Sequence, residues 1–216
     1  MTLSQQDIKA YHKYYTPPWA TRFLWDQANH WFSEKKVLEP CAGDLHIAKV
    51  LRARGAVVSV MDIHPSHEHY GGLDFLKLSP TDVGTYNYVV TNPPYTTKYG
   101  TAAEIIRHAL DFAPIVWALL RLPFLEPCSD REHLLAGRLR EVMVLPNPRL
   151  QFENAGDSNN SQSAWFKFDR YPRERPTIIK YYKKEDREWS ENGSSLVDTP
   201  RPLTYINAVT KEEFTI

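Results

Sequence analysis

The chain has 216 residues, 42% hydrophobic and 24% charged, enough for one substantial core and too few for two domains of ordinary size. Two cysteines, Cys41 and Cys128, exclude a disulfide framework, nothing resembles a secretory signal, and the longest apolar stretch, near Pro114 to Leu125, is interrupted by Arg121 and two prolines and is too short for a bilayer span. Net charge is zero but unevenly spread: Lys and Arg against Asp and Glu count 11 and 11 over residues 1–113, 12 and 8 over 114–184, and 3 and 7 over 185–216. The middle segment is therefore +4 and the tail −4, which suits either a phosphate-facing edge or a solvated mixed surface. The expectation is a cytosolic protein with no membrane partner.

In chain order, Pro18 to Phe32 reads as a helix started by Thr16 or Pro17, with Trp19, Phe23, Trp31 and Phe32 spread around it as core candidates. Lys36 to Cys41 is a β-type run, and Asp44 opens a helical pattern with Ile47, Val50 and Leu51 on one face. Ala56 to Ile63 is a buried strand ending in Asp62, followed by a His- and Gly-rich loop. Tyr86 to Thr91 is a strand stopped by two prolines, and Thr101 to Phe112 has helical spacing through Ala102, Ile105, Ile106 and Ala109. Ile115 to Leu120, Val142 to Leu145 and Ala164 to Phe168 are three further strands, with helical Asp130 to Arg138 between the first two. From Glu185 the pattern decays, so residues 1–184 are expected to form one domain and 185–216 an extension that packs loosely or caps an edge. Strands alternating with helices imply a parallel α/β sheet, which binds ligands beyond the carboxyl ends of its strands.

Three features fall at three consecutive strand ends: Glu39-Pro40-Cys41-Ala42-Gly43-Asp44, then Asp62, then Asn92-Pro93-Pro94-Tyr95. A glycine between strand and helix lets the backbone approach a ligand closely, and a helix N-terminus offers N–H groups to an anion. An acidic residue after the next strand is placed to accept hydrogen bonds from two ribose hydroxyls. The two prolines cannot continue a strand ladder and restrict the residues before them, holding Asn92 and the Pro93 carbonyl rigid. Two such acceptors, each taking one N–H, pyramidalise an otherwise delocalised exocyclic amine and stabilise the charge that develops as it attacks a methyl sulfonium. Tyr95 offers a face on which the ring carrying that amine can stack. Taken singly, Gly43 and Asp62 equally suit an ordinary turn and a helix cap.

The series resembles the Rossmann-like amino-methyltransferases, in particular phage- and restriction-type adenine-specific DNA methyltransferases, through Tyr15-Thr16-Pro17-Pro18, Glu39 to Asp44, Asp62-Ile63, Asp74-Phe75 and Asn92 to Tyr95 in that order. The motifs span roughly residues 11 to 95, and a diffuse likeness continues to about 170. The resemblance implies an α/β Rossmann-like methyltransferase fold, a mixed, mostly parallel seven-stranded sheet with helices on both faces and its last strand antiparallel, and makes residues 1–184 the catalytic domain. It implies S-adenosyl-L-methionine as cofactor, with Thr16 and Pro17 against its methionine end, Glu39, Gly43 and Asp44 around the methionine and sulfonium, and Asp62 on the ribose. Asp74 would accept from the cofactor's adenine amine, between Ile63 and Phe75. Asn92, Pro93, Pro94 and Tyr95 would be catalytic. Leu45 stands where the family usually has a second glycine, so a side chain there is expected to narrow the pocket or shift its entry. A phage-encoded enzyme of this kind would work in the host cytoplasm.

The Ser-rich stretch Asp157 to Ser163 leading into Ala164-Trp165-Phe166 is similar to a loop of related phage enzymes, giving Trp165 two open readings: contact with the flipped base or DNA, or core. Arg149, Lys167, Arg170 and Arg173 are the candidate phosphate contacts. His64, His67 and His69 lie close enough in sequence to suggest zinc, but no fourth ligand is evident and no metal is expected. The functional expectation is methylation of the adenine amine in DNA with base flipping. The alternatives are the same chemistry on RNA bases or the glutamine amide, or a non-catalytic cofactor-binding phage protein.

Overall fold

The computed structural model describes residues 16–28, 31–64, 67–97, 100–126, 128–148, 150, 161–191, 204–207 and 209–215. Helix α1 (Pro18–Gln27) has proline in its first turn, where the missing N–H removes no helical bond, and it buries Trp19, Phe23, Leu24 and Trp25. It ends before the expected Phe32, because Ala28 leaves helical geometry and residues 31–34 turn the chain into β1 (Lys36–Glu39). The chain continues through α2 (His46–Ala53), β2 (Val57–Val60), a short α3 (Pro80–Val83) and β3 (Tyr88–Thr91). A small hairpin, β4 (Thr96–Thr97) and β5 (Gly100–Thr101), leads into α4 (Ala102–Phe112). That helix starts with a reciprocal cap: Glu104 N–H donates to the Thr101 hydroxyl (3.3 Å) and Thr101 N–H to the Glu104 carboxylate (2.7 Å).

Then come β6 (Ile115–Arg121), α5 (Glu132–Leu135), β7 (Leu139–Val144), β8 (Ser163–Asp169), β9 (Ile178–Tyr181), α6 (Lys184–Glu191), β10 (Thr204–Asn207) and β11 (Glu213–Thr215). The main sheet has nine strands in the order β11-β10-β2-β1-β3-β6-β8-β7-β9. All run in one direction except β8, antiparallel to both its neighbours, and β11, antiparallel to β10. The seven strands from β10 to β7 make the expected mixed sheet, and β9 and β11 extend its two edges.

Alternation along the strands divides the core into two layers. On β6, Trp117 and Leu119 join the α1 and α2 side, whereas Val116, Ala118 and Leu120 join the α4 side with Phe166 and Phe168 of β8. Each large side chain buried in this way contributes about 1.5–3 kcal/mol. Helix α6 lies in the segment where the sequence pattern decays, and it docks on α1: Arg22 Nε donates to the Ser190 carbonyl (2.6 Å) and the Arg187 guanidinium sits 4.5 Å over Trp19. The place beside β2 is taken by β10 from the far end of the chain, with Ile206 opposite Ser59 and Asn207 opposite Val60.

Candidate active site

Because β2, β1 and β3 are neighbours and parallel, their carboxyl ends bring three sequence motifs to one edge of the sheet. Glu39 ends β1 opposite Val60 of β2 and is 1% exposed. Burial, helped by the nearby Asp62 carboxylate, holds the Glu39 carboxyl well above the usual range despite a backbone hydrogen bond at Ala48. Its Oε2 is buried without a hydrogen-bond partner among the described residues. A buried oxygen of this kind has room for a hydrogen-bond donor. Two residues on, burial and then Asp62 push the Cys41 thiol up, against a lowering hydrogen bond with Thr91.

The turn between β1 and α2 uses left-handed backbone twice, at Gly43 (φ 49°) and Leu45 (φ 65°). Glycine adopts this without strain, and a Cβ built at Gly43 would meet nothing within 4 Å, so open space borders the backbone there. For a leucine the conformation costs about 1–2 kcal/mol. Leu45 is 1% exposed and packs in the core layer of α1 and α2. Burial, worth about 1.5–3 kcal/mol, draws the side chain into that layer and offsets the strained φ.

Asp62 accepts two short backbone bonds, from Gly43 N–H at Oδ2 and from His64 N–H at Oδ1, both 2.7 Å. It thus fastens the glycine turn by taking the Gly43 N–H. Ile63 follows it, half-buried. Asp74 caps the turn Phe75–Lys77 by accepting from Leu76 N–H (3.2 Å), and it pairs with Lys77 at 3.0 Å. The ring of Phe75 is buried against His108 (4.8 Å) and Phe112 (4.9 Å).

At the end of β3, Asn92 Nδ2 donates to Thr16 Oγ1 (3.1 Å), a link between the start of α1 and the acceptor motif. Thr16 is buried, Pro17 caps α1, Pro93 is buried, and Pro94 and Tyr95 are half-buried. Tyr15 and the serine-rich stretch 157–160 lie outside the described residues. Trp165 is fully buried and donates its indole N–H to the Ala20 carbonyl (2.8 Å), so its substrate reading is corrected to a core one. Two groups were missed. The Arg121 guanidinium, at the end of β6, lies 5.3 Å from the Tyr95 ring centre; a charged residue closing an apolar strand was the available signal, the same one that marked Asp62. Tyr70, whose hydroxyl donates to the Gly43 carbonyl (2.8 Å), gives no such signal.

Among the described residues no cluster of His, Cys, Asp and Glu is arranged to hold a metal ion, and no helix is long and apolar enough to cross a membrane. Of the four phosphate candidates, Arg149 lies outside the described residues. Lys167 sits 4.2 Å over Trp31, and burial lowers its ammonium. Arg170 donates to the carbonyls of Leu110 and Asp111, and Arg173 lies 3.6 Å from Asp169. These contacts tie the three described side chains to their own fold.

No family model and no curated protein matches the sequence. Solved structures resemble its fold. A proposed RNA methyltransferase from Pyrococcus horikoshii is 12% identical with a TM-score of 0.55, the match covering 74% of this chain and 88% of that one. The type I restriction-modification methyltransferase subunit from Streptococcus thermophilus is 13% identical with a TM-score of 0.58, covering 80% of this chain and 48% of that one. The type IIG restriction endonuclease BpuSI gives 13% and 0.58, covering 95% of this chain and 31% of that one. The chain thus spans about half or less of the restriction proteins it matches, and most of the RNA methyltransferase. The fold is α/β and Rossmann-like, of the methyltransferase type.

Proposed function

We propose that the chain is an S-adenosylmethionine-dependent methyltransferase acting on the exocyclic amine of adenine in DNA. The observation that carries this reading is the meeting of Asn92 with Thr16 at the end of β3, beside the buried, unpartnered Glu39 oxygen at the end of β1. The residues present fit the cofactor. Glu39 Oε2 takes its ammonium, the open side of Gly43 admits its backbone-like part, and the remaining lone pairs of Asp62 take the ribose hydroxyls. Asp74, Ile63 and Phe75 are assigned to its adenine, and Asp44 and Pro17 to its methionine end. When bound, the cofactor supplies a methyl group on a sulfonium.

With Nδ2 tied to Thr16, the Asn92 carbonyl oxygen is the end assigned to the acceptor amine, with the Pro93 carbonyl as second acceptor. Each takes one N–H, and together they stabilise the positive charge that grows on nitrogen as it takes the methyl group, before the surplus proton is lost to water. Asparagine polarises and does not act as a base. Tyr95 stacks on the extruded adenine, which cannot be reached while paired in the duplex. Arg121 beside Tyr95 puts a cation next to the acceptor site, which favours a polyanionic nucleic acid over a neutral glutamine amide.

For the phosphate surface we look to the β9 edge. Exposed Lys183 and Lys184, the latter 3.0 Å from Glu188, follow exposed Tyr181, which stands opposite Val144 of β7 at the same carboxyl edge of the sheet as Asn92. The deciding experiment is incubation of the protein and labelled cofactor with DNA, RNA and protein in parallel, followed by identification of the modified unit. Methylated adenine amine in DNA is expected. Label confined to RNA or to glutamine overturns the substrate, and no label anywhere overturns the enzyme.

A further inference from the structure

We infer that the segment following β2 is an external clamp on the cofactor loop, in which Tyr70 and His67 are positioning residues that set cofactor affinity; the inference rests on the cofactor site proposed above. Both polar backbone atoms of Gly43 are held by this one segment. Its N–H donates to Asp62 Oδ2 (2.7 Å) and its carbonyl accepts from the Tyr70 hydroxyl (2.8 Å). The Tyr70 hydroxyl has a single proton and gives it to Gly43, so at the 3.2 Å contact with His67 Nδ1 the imidazole is the donor and the phenol oxygen the acceptor. The two rings lie flat on each other, with centres 4.9 Å apart and planes 12° apart. The other imidazole nitrogen, Nε2, stands 3.8 Å from Asp44 Oδ1. The clamp therefore holds Gly43 at both its polar backbone atoms, with His67 standing beside Asp44.

The segment is itself drawn tight. Tyr70 and Gly71 both donate their N–H to the His67 carbonyl (3.3 and 2.7 Å), and Asp62 N–H donates to the Tyr70 carbonyl (2.9 Å). A Cβ at Gly71 would stand 2.2 Å from the His64 carbonyl oxygen and 2.6 Å from that of His67, so only glycine permits this approach. The need for outside support follows from the loop's own sequence. A turn that uses left-handed backbone at a leucine is less favoured intrinsically than one with two glycines, and the contacts from after β2 select the geometry in which the open side of Gly43 faces the cofactor.

The test is Tyr70→Phe in the full chain, which keeps the ring that stacks on His67 and deletes the hydroxyl, and with it the bond to Gly43 and the contact with His67 Nδ1. Calorimetric titration with S-adenosylmethionine and with S-adenosylhomocysteine is expected to show dissociation constants raised about three- to tenfold for both. The rate at saturating cofactor and the melting temperature without ligand stay close to those of the parent. Gly71→Ala should loosen the same clamp from the other side, so the double variant binds no more weakly than the weaker single one. Unchanged constants in Tyr70→Phe overturn the clamp, as does weaker binding fully matched by lost stability without ligand, which marks a merely structural role. A parent protein that binds neither ligand overturns the cofactor site itself, a failure distinct from the other two.

Discussion

The two loops that follow the neighbouring strands β1 and β3 are stiffened by opposite means. Pro40 to Leu45 is a turn of left-handed backbone held from outside by polar contacts with Asp62 and Tyr70. Asn92 to Tyr95 is stiffened covalently by two prolines, with the Thr16 contact at one end and Arg121 beside the Tyr95 ring at the other. A covalently stiff loop should lose chemistry and keep its shape when a side chain is removed. A loop held by contacts should lose affinity, because the contacts are the shape.

The largest effect should come from the stiff loop. Asn92→Ala is expected to lower the single-turnover rate at saturating cofactor about 100- to 1,000-fold, with cofactor affinity nearly unchanged, since the acceptor acts on charge that exists only in the transition state. Full activity in that variant would remove the mechanism. Next, Asp62→Ala should weaken S-adenosylmethionine binding by about 1.5–3 kcal/mol, measured by calorimetry, because it removes ribose contacts and releases the Gly43 and His64 N–H groups together. An affinity loss no larger in Asp62→Ala than in Tyr70→Phe would mean that loop shape alone matters and the ribose contact is absent.

Leu45→Gly separates strain from packing. It relieves the left-handed φ but empties a buried site, and the net loss should be about 2 kcal/mol of folding stability by denaturant titration, with cofactor affinity held within about twofold. A marked gain in affinity would show that the side chain does obstruct the pocket.

Glu39 gives the comparison a pH axis. Its folded-state pKa lies above the unfolded value because of burial, so its contribution to stability is present below the unfolded pKa and is lost as pH rises through the folded one. Glu39→Gln should therefore raise the melting temperature of the unliganded protein at neutral pH and weaken cofactor binding. In the parent, the bound ammonium favours the carboxylate and expels its proton, so affinity should rise with pH across the Glu39 titration. A flat affinity profile would separate Glu39 from the ammonium. The smallest effect belongs to Tyr95→Phe, expected to keep activity within about threefold, whereas Tyr95→Ala loses turnover through lost stacking, about 1–3 kcal/mol. Equal impairment of the two would make the hydroxyl, and not the ring, the working part.

What the sequence disclosed follows the same division. Strands β1, β2, β3, β6, β7 and β8 were legible because each is a run of apolar residues bounded by turn formers, and the strand-end motifs are local spellings of local geometry. Asn92, Glu39 and Asp62 could be named for that reason. Tyr70 could not, since its role depends on the segment after β2 folding back over a turn 27 residues earlier. Trp165 was left open between two readings because its sequence neighbours say nothing of Ala20, its hydrogen-bond partner 145 residues away. Strand β10 escaped for a similar reason. Four residues, Thr204 to Asn207, carry no label for the strand they will join, and only the vacancy beside β2 decides it.

That late strand bears on how the protein is made. The Asn207 side chain donates to the His69 carbonyl, 138 residues earlier in the chain, so β10 buttresses the very segment that holds the cofactor loop. A ribosome has long since released β1, β2 and their motifs when Asn207 is added. Until then β2 presents an unpaired flank, and the segment that grips Gly43 lacks its backing. Contacts between such distant residues close slowly, because their loop entropy is spent before the contact rewards it. The nascent chain should thus pass through a stage at which every motif residue is present and the segment that holds Gly43 still lacks its backing, so the proposed cofactor site is complete only once β10 has joined β2.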